Sequence, residues 1–156
     1  MTDPKRLESI EEIIDFAIQR ERAAQDTYLS YAGRTERRGF SDLLLKMAEM
    51  EKAHELKLVA LKQGQDTAAL FSPPEGEDLG LAEMLVEVPF SADMDYGDFL
   101  VLVIQKEREA ENLYRKLERL TTSPEVRRMF ALLADEERKH RDWAQERYDE
   151  EILKEN

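Results

Sequence analysis

Glu51-Lys52-Ala53-His54 and Glu137-Arg138-Lys139-His140 decide the fold of this chain, because both lie where a helical seam should be apolar. Around the first run Phe40, Leu44, Met47, Glu51, His54, Leu58 and Leu61; around the second, Val126, Phe130, Leu133, Glu137, His140 and Ala144. Steps of three and four put each set on one face of a helix, and i, i+3 places each glutamate and histidine side by side on that face. A buried carboxylate costs several kcal/mol (order of magnitude) unless it is protonated, paired or bound to a cation. Glutamates on two such seams therefore call for a partner.

Working outward, the second run repeats the first at an offset of 86 residues, and so does much of the chain. Glu21 maps to Glu107, Tyr28 to Tyr114, Ala24 to Ala110, Ile14 to Leu100 and Leu44 to Phe130. Two further seams emerge: Ile10, Ile14, Ala17, Glu21, Ala24, Tyr28, Tyr31, and Tyr96, Leu100, Val103, Glu107, Ala110, Tyr114, Leu117. The pattern predicts helices over about 8–34, 38–63, 96–120 and 124–152. Ser9-x-x-Glu12 reads as a capping box, with Asp3-Pro4 as an earlier start, and Ser123-Pro124 as an N-cap with proline at the first helical position. Gly33 to Gly39 is a turn. Residues 64–95, with Pro73-Pro74, Gly76, Gly80 and Pro89, form a crossover with a short amphipathic helix at about 79–87. Two antiparallel hairpins joined by a crossover of this length give an all-α, ferritin-like four-helix bundle in one domain over 1–156. Its repeat implies pseudo-twofold symmetry.

Composition removes many alternatives. The chain has no cysteine, which excludes disulfides, thiolate zinc sites, iron–sulfur clusters and cysteine nucleophiles. A formal charge of −12 argues against nucleic acid and anionic membranes as partners. The longest apolar run, Phe99 to Ile104, is too short to span a bilayer. No signal-type apolar stretch precedes the acidic first helix, so a cytoplasmic setting is expected. His54-Glu55 is not a zinc-protease motif, because Leu58 holds the second histidine position. No glycine-rich phosphate loop is present, and a bundle offers no sugar-sized cleft for paired carboxylates to hydrolyse glycosides.

One glutamate from each of two helices, and Glu-x-x-His from the other two, is the ligand set of di-iron and di-manganese carboxylate bundles. Glu21, Glu51, His54, Glu107, Glu137 and His140 are the candidate metal ligands, and through the metals the candidate catalytic residues. Four carboxylates balance two divalent cations, and oxygen and imidazole donors suit iron or manganese, with zinc the non-redox alternative. Tyr28 and Tyr114, two turns beyond Glu21 and Glu107, are read either as phenols hydrogen-bonded to a ligating carboxylate or as core packing. Glu111 and Glu136, one turn from ligands, are read either as supporting the site, Glu136 towards His140 for example, or, as the favoured reading, as solvated, and Trp143 is read as packing.

Glu21-x-x-Ala24-x-x-x-Tyr28, Glu51-x-x-His54, Glu107-x-x-Ala110-x-x-x-Tyr114 and Glu137-x-x-His140 resemble the rubrerythrin-like branch of the ferritin-like superfamily. The resemblance implies that Glu51 and Glu137 bridge two irons, that Glu21 and Glu107 are terminal ligands, and that His54 and His140 each complete one iron. It implies reduction of hydrogen peroxide or O2. Two departures stand out. Rubrerythrins proper carry a glutamate three residues after the third-helix ligand, where this chain has Ala110, and a four-cysteine rubredoxin module that these 156 residues do not hold. The six-ligand set is similar to that of bacterioferritin, yet Lys52 stands where that family has its haem-binding methionine, so no haem is expected.

The expected function is thus a non-haem di-iron peroxidase or oxidase that needs an external electron donor. A ferroxidase serving iron storage or delivery is the alternative, and a zinc- or manganese-filled bundle without redox chemistry is the third reading. A homodimer is expected, with the apolar crossover residues Leu70, Phe71 and Phe90 as a surface for it. If Glu51 bridges and Glu21 does not, Glu51→Ala should lose more bound metal and more turnover than Glu21→Ala, measured as metal per chain and initial rate. Equal losses would remove the bridging assignment.

Overall fold

The computed structural model describes residues 10–64, 67–71, 90–91 and 93–154. Helices α1 (Ile10–Ala32), α2 (Arg38–Gly64), α3 (Thr67–Leu70), α4 (Tyr96–Leu120) and α5 (Pro124–Tyr148) follow in that order, and a π-helical turn (Asp149–Leu153) extends α5. The four long helices fall where the seams predict them. The short helix expected at 79–87 and the capping residues Asp3, Pro4 and Ser9 lie outside the described residues. The four-residue α3 was not anticipated. The chain divides into two compact units, one over Leu7–Ala69 and one over Leu70–Asn156.

In the first unit α1 and α2 form an antiparallel hairpin. Helix α1 stops at Ala32, two residues before its expected end. The amide of Gly33 donates to the Leu29 carbonyl, and the Ser41 hydroxyl reaches back from α2 to the carbonyl of Ala32 at 2.8 Å. Those bonds satisfy carbonyls that a helix end leaves open. Tyr31 meets Phe40 edge-on at 6.1 Å across the turn. The interior is Ile14, Ala17, Tyr28, Phe40, Leu44, Met47 and Leu58, all at 2% exposure or less.

The second unit repeats the design with α4 and α5. Asp95 caps α4 by accepting from the amide of Asp98 at 2.8 Å, and Ser123 caps α5 by accepting from the amide of Val126, with Pro124 at the first helical position. Between the helices the Leu70 carbonyl accepts from the Thr121 hydroxyl and from the amide and hydroxyl of Thr122. Phe71 pairs with Thr121 in an isolated antiparallel bridge and packs its ring against Phe130 at 6.1 Å. Phe71 is therefore core, 4% exposed, and not the pairing surface that its place in the crossover suggested. Phe90, partly buried, lies against Phe99.

Helix α5 was expected to run to 152. Its last residues instead widen into the π turn, which brings Glu151 to the hydroxyl of Tyr96, the first residue of α4. Burial, then this carboxylate, push the Tyr96 phenol up to about 12. The protonated phenol is thus favoured in the folded chain. Its contribution is complete below the unfolded value near 10 and fades as pH rises towards 12. Tyr96→Phe should cost about 1 kcal/mol at pH 8, in urea unfolding, and the difference from wild type should shrink between pH 10 and 12.

Candidate metal centre

Each hairpin buries a trio of two carboxylates and one imidazole on its seams. In the first, Glu21 is 2% exposed, Glu51 1% and His54 0%. Nδ1 of His54 stands 3.6 Å from Oε1 of Glu21 and 3.8 Å from Oε2 of Glu51. In the second, Glu107, Glu137 and His140 are also buried, and Nδ1 of His140 stands 3.7 Å from Oε2 of Glu107. Within each trio every residue offers a donor atom within 4.8 Å of the others. The sequence left open which histidine meets which glutamate of the first or third helix; Glu21 meets His54, and Glu107 meets His140.

Helix periodicity explains why these groups point inward. Glu21 shares its face with Ile14, Ala17 and Tyr28; Glu51 and His54 share theirs with Leu44, Met47 and Leu58. Turning the carboxylates to water would expose those side chains. The fit to a cation rests on the donors themselves. The nitrogen–oxygen separations exceed hydrogen-bond length, and leave room for an ion with bonds of about 2.0–2.2 Å. Two carboxylates against one imidazole leave an excess of negative charge in each hairpin, and an all-oxygen-and-imidazole set suits iron or manganese.

The tyrosines are buried as expected: Tyr28 is 2% exposed, and Tyr114, 1% exposed, stacks on Phe130 at 6.1 Å. Trp143 lies under the guanidinium of Arg147 at 5.1 Å, a packing role. Glu111 differs from expectation. Its side chain is only 12% exposed, because Nη1 of Arg141 donates to it from the facing helix. Glu136 is partly buried.

Sequence reading also passed over Glu55. Next to His54 and 5% exposed, it accepts from the Gln25 amide at 2.8 Å and from Nε of Arg22 at 2.9 Å, with Lys52 at 3.5 Å. The Gln25 bond does most to hold its carboxyl below the usual range; burial works against it, and Arg22 and Lys52 assist. The 86-residue offset contained the signal: Gln25 and Glu55 map to Glu111 and Arg141.

The rubrerythrin family model matches residues 98–156, the second hairpin with Glu107, Glu137 and His140. No curated protein sequence matches the chain. A crystal structure from Thermotoga maritima, described as a ferritin-like diiron-carboxylate protein, superposes with a TM-score of 0.73 at 16% identity, covering 94% of this chain and 98% of that one. The likeness shows the fold, a ferritin-like four-helix bundle. No helix among the described residues is long and apolar enough to cross a membrane.

Without a cation the buried trio of the second hairpin has one more carboxylate than imidazoles. Glu137→Leu removes that excess and adds apolar packing. In the metal-free protein it should therefore raise stability by roughly 1–3 kcal/mol in urea unfolding while lowering metal uptake. A metal-free variant less stable than wild type would mean that the carboxylate is already neutralised by other means.

Proposed function

From this rubrerythrin-like chain of ferritin-like fold, we propose a non-haem di-iron carboxylate protein that reduces hydrogen peroxide or O2, working in the cytoplasm as a homodimer. The observation that carries the proposal is the repeat of one buried Glu, Glu, His trio in each of two hairpins. By this reading Glu21, Glu51 and His54 of the first hairpin and Glu107, Glu137 and His140 of the second would be the ligands of two irons. Bound iron would supply the electrons by cycling between Fe(II) and Fe(III). The chain's part is to bind, to balance charge and to keep water out. Four carboxylates would offset the charge of two divalent cations, and six donors divided between two ions would leave room for a small molecule to bind.

Apolar side chains on the same seams exclude bulk water and larger substrates. Leu44, Met47 and Leu58 flank the first trio and Phe130, Leu133 and Ala134 the second, all of them buried. Such surroundings suit a small reactant such as peroxide or dioxygen. The same buried carboxylates could instead bind Fe(II) as cargo, with O2 or peroxide as its oxidant, for storage or delivery; assembly size separates the two, since storage needs a shell of many copies. With no cysteine in these residues, reducing equivalents come from a separate donor.

Protein purified without chelators should contain about two irons per chain. Once reduced anaerobically, it should be reoxidised by peroxide or O2 in stoichiometric amount, followed by iron absorbance in stopped flow. Zinc or manganese at the same stoichiometry, with no reoxidation after Fe(II) exchange, would leave a structural metal bundle. Failure to take up any metal would end the proposal.

A further inference from the structure

Both hairpins close a ring of contacts beside their histidine, and the two rings use opposite chemistry at equivalent positions. In the first, Gln25 lies one turn beyond Glu21, and its Nε2 donates both to the Glu21 main-chain carbonyl at 3.1 Å and to Oε1 of Glu55 at 2.8 Å. Glu55 directly follows His54, whose Nδ1 returns to Glu21 at 3.6 Å. The ring therefore runs Glu21, Gln25, Glu55, His54 and back. In the second, Glu111 lies one turn beyond Glu107, Arg141 directly follows His140, and Nη1 of Arg141 donates to Oε1 of Glu111. Nδ1 of His140 returns to Glu107 at 3.7 Å.

The place of the contact is kept while its chemistry is not. An amide donates to a carboxylate on α2 in one hairpin; a guanidinium on α5 donates to a carboxylate on α4 in the other. Had the pair been only a surface ion pair, nothing would tie it to the helical turn of the ligands in both halves. Resting on the di-metal reading above, we propose that Gln25–Glu55 and Glu111–Arg141 are positioning clasps. Each fixes the height and spacing of one glutamate–histidine donor pair and thereby sets that half's affinity for its cation. None of the four clasp residues is a ligand; they act through the helices that carry Glu21 and His54, or Glu107 and His140.

The test is a charge exchange read with Co(II) as a spectroscopic cation. Gln25→Glu sets a carboxylate against Glu55 and withdraws the bond to the Glu21 carbonyl. The double variant Gln25→Glu/Glu55→Arg installs the pair the second hairpin already uses. Arg22 can accommodate this change: it is about half exposed, and its repeat counterpart Arg108 is exposed as well. Wild type should take up about two Co(II) per chain. Gln25→Glu should weaken one of those two equivalents by roughly 10-fold to 100-fold and alter its visible absorption. The double variant should return both readouts to within about threefold of wild type.

Arg141→Leu should weaken the other equivalent, and it carries the test if Gln25→Glu fails to fold. Lys62→Ala breaks the Asp15–Lys62 ion pair between α1 and α2 away from the trio, and should leave Co(II) binding unchanged. The clasp is overturned if Gln25→Glu and Arg141→Leu both bind Co(II) as wild type does. It is equally overturned if a folded double variant stays as weak as the single, or if Lys62→Ala weakens binding as much. Wild type that takes up no Co(II) overturns the di-metal reading itself, and the two failures are thereby distinct.

Discussion

Charge taken out of water is the constraint around which this chain is built. Each hairpin withdraws a trio of two carboxylates and an imidazole from solvent to an exposure of a few per cent, on faces that are otherwise mostly apolar and aromatic. Desolvation on that scale is tolerated only where the groups are protonated, paired or bound to a cation. Apolar residues before and after each glutamate keep the helices from rotating, so the carboxylates cannot escape to the surface. Fold and site thus impose on each other: the seams bury the donors, and the donors need to be neutralised where they lie.

The caps and turns explain how helices with such costly interiors stay in register. Asp95 and Ser123 begin the two helices of the second hairpin, Thr121 and Thr122 tie their connection to the Leu70 carbonyl, and Ser41 closes the end of α1. Local bonds of this kind contribute about 1 kcal/mol each. They lie at the hairpin ends, remote in sequence from the donors, and leave the middle turns of each helix to the site.

Much of this was legible in the sequence because helices with an apolar seam announce themselves by period, and the 86-residue repeat supplied each assignment twice. Glu21, Glu51, His54, Glu107, Glu137 and His140 stood out for a physical reason: charged groups on apolar faces are rare. The same logic hid Glu55 and Arg141. Both sit at the edge of a seam, where a charged residue is ordinary, and nothing in a period of 3.6 distinguishes a charge facing water from one facing the neighbouring helix. Phe71 misled for the converse reason. An aromatic in an irregular segment reads as surface until the chain's return to Thr121 and Phe130 is known. The widening of α5 at Asp149–Leu153 left no trace either, since a π turn adds a residue without changing composition.

The reversed chemistry of the two rings has a historical consequence. If both hairpins descend from one duplicated ancestor, one pair of residues had to change into the other a single substitution at a time. Passing through two facing carboxylates would have cost the contact. Passing through glutamine and arginine would not, because a side-chain amide accepts through its oxygen as readily as it donates through its nitrogen. Gln25 is therefore the side that permits exchange: with an amide in place, its partner was free to switch sign without a generation in which the ring stood open.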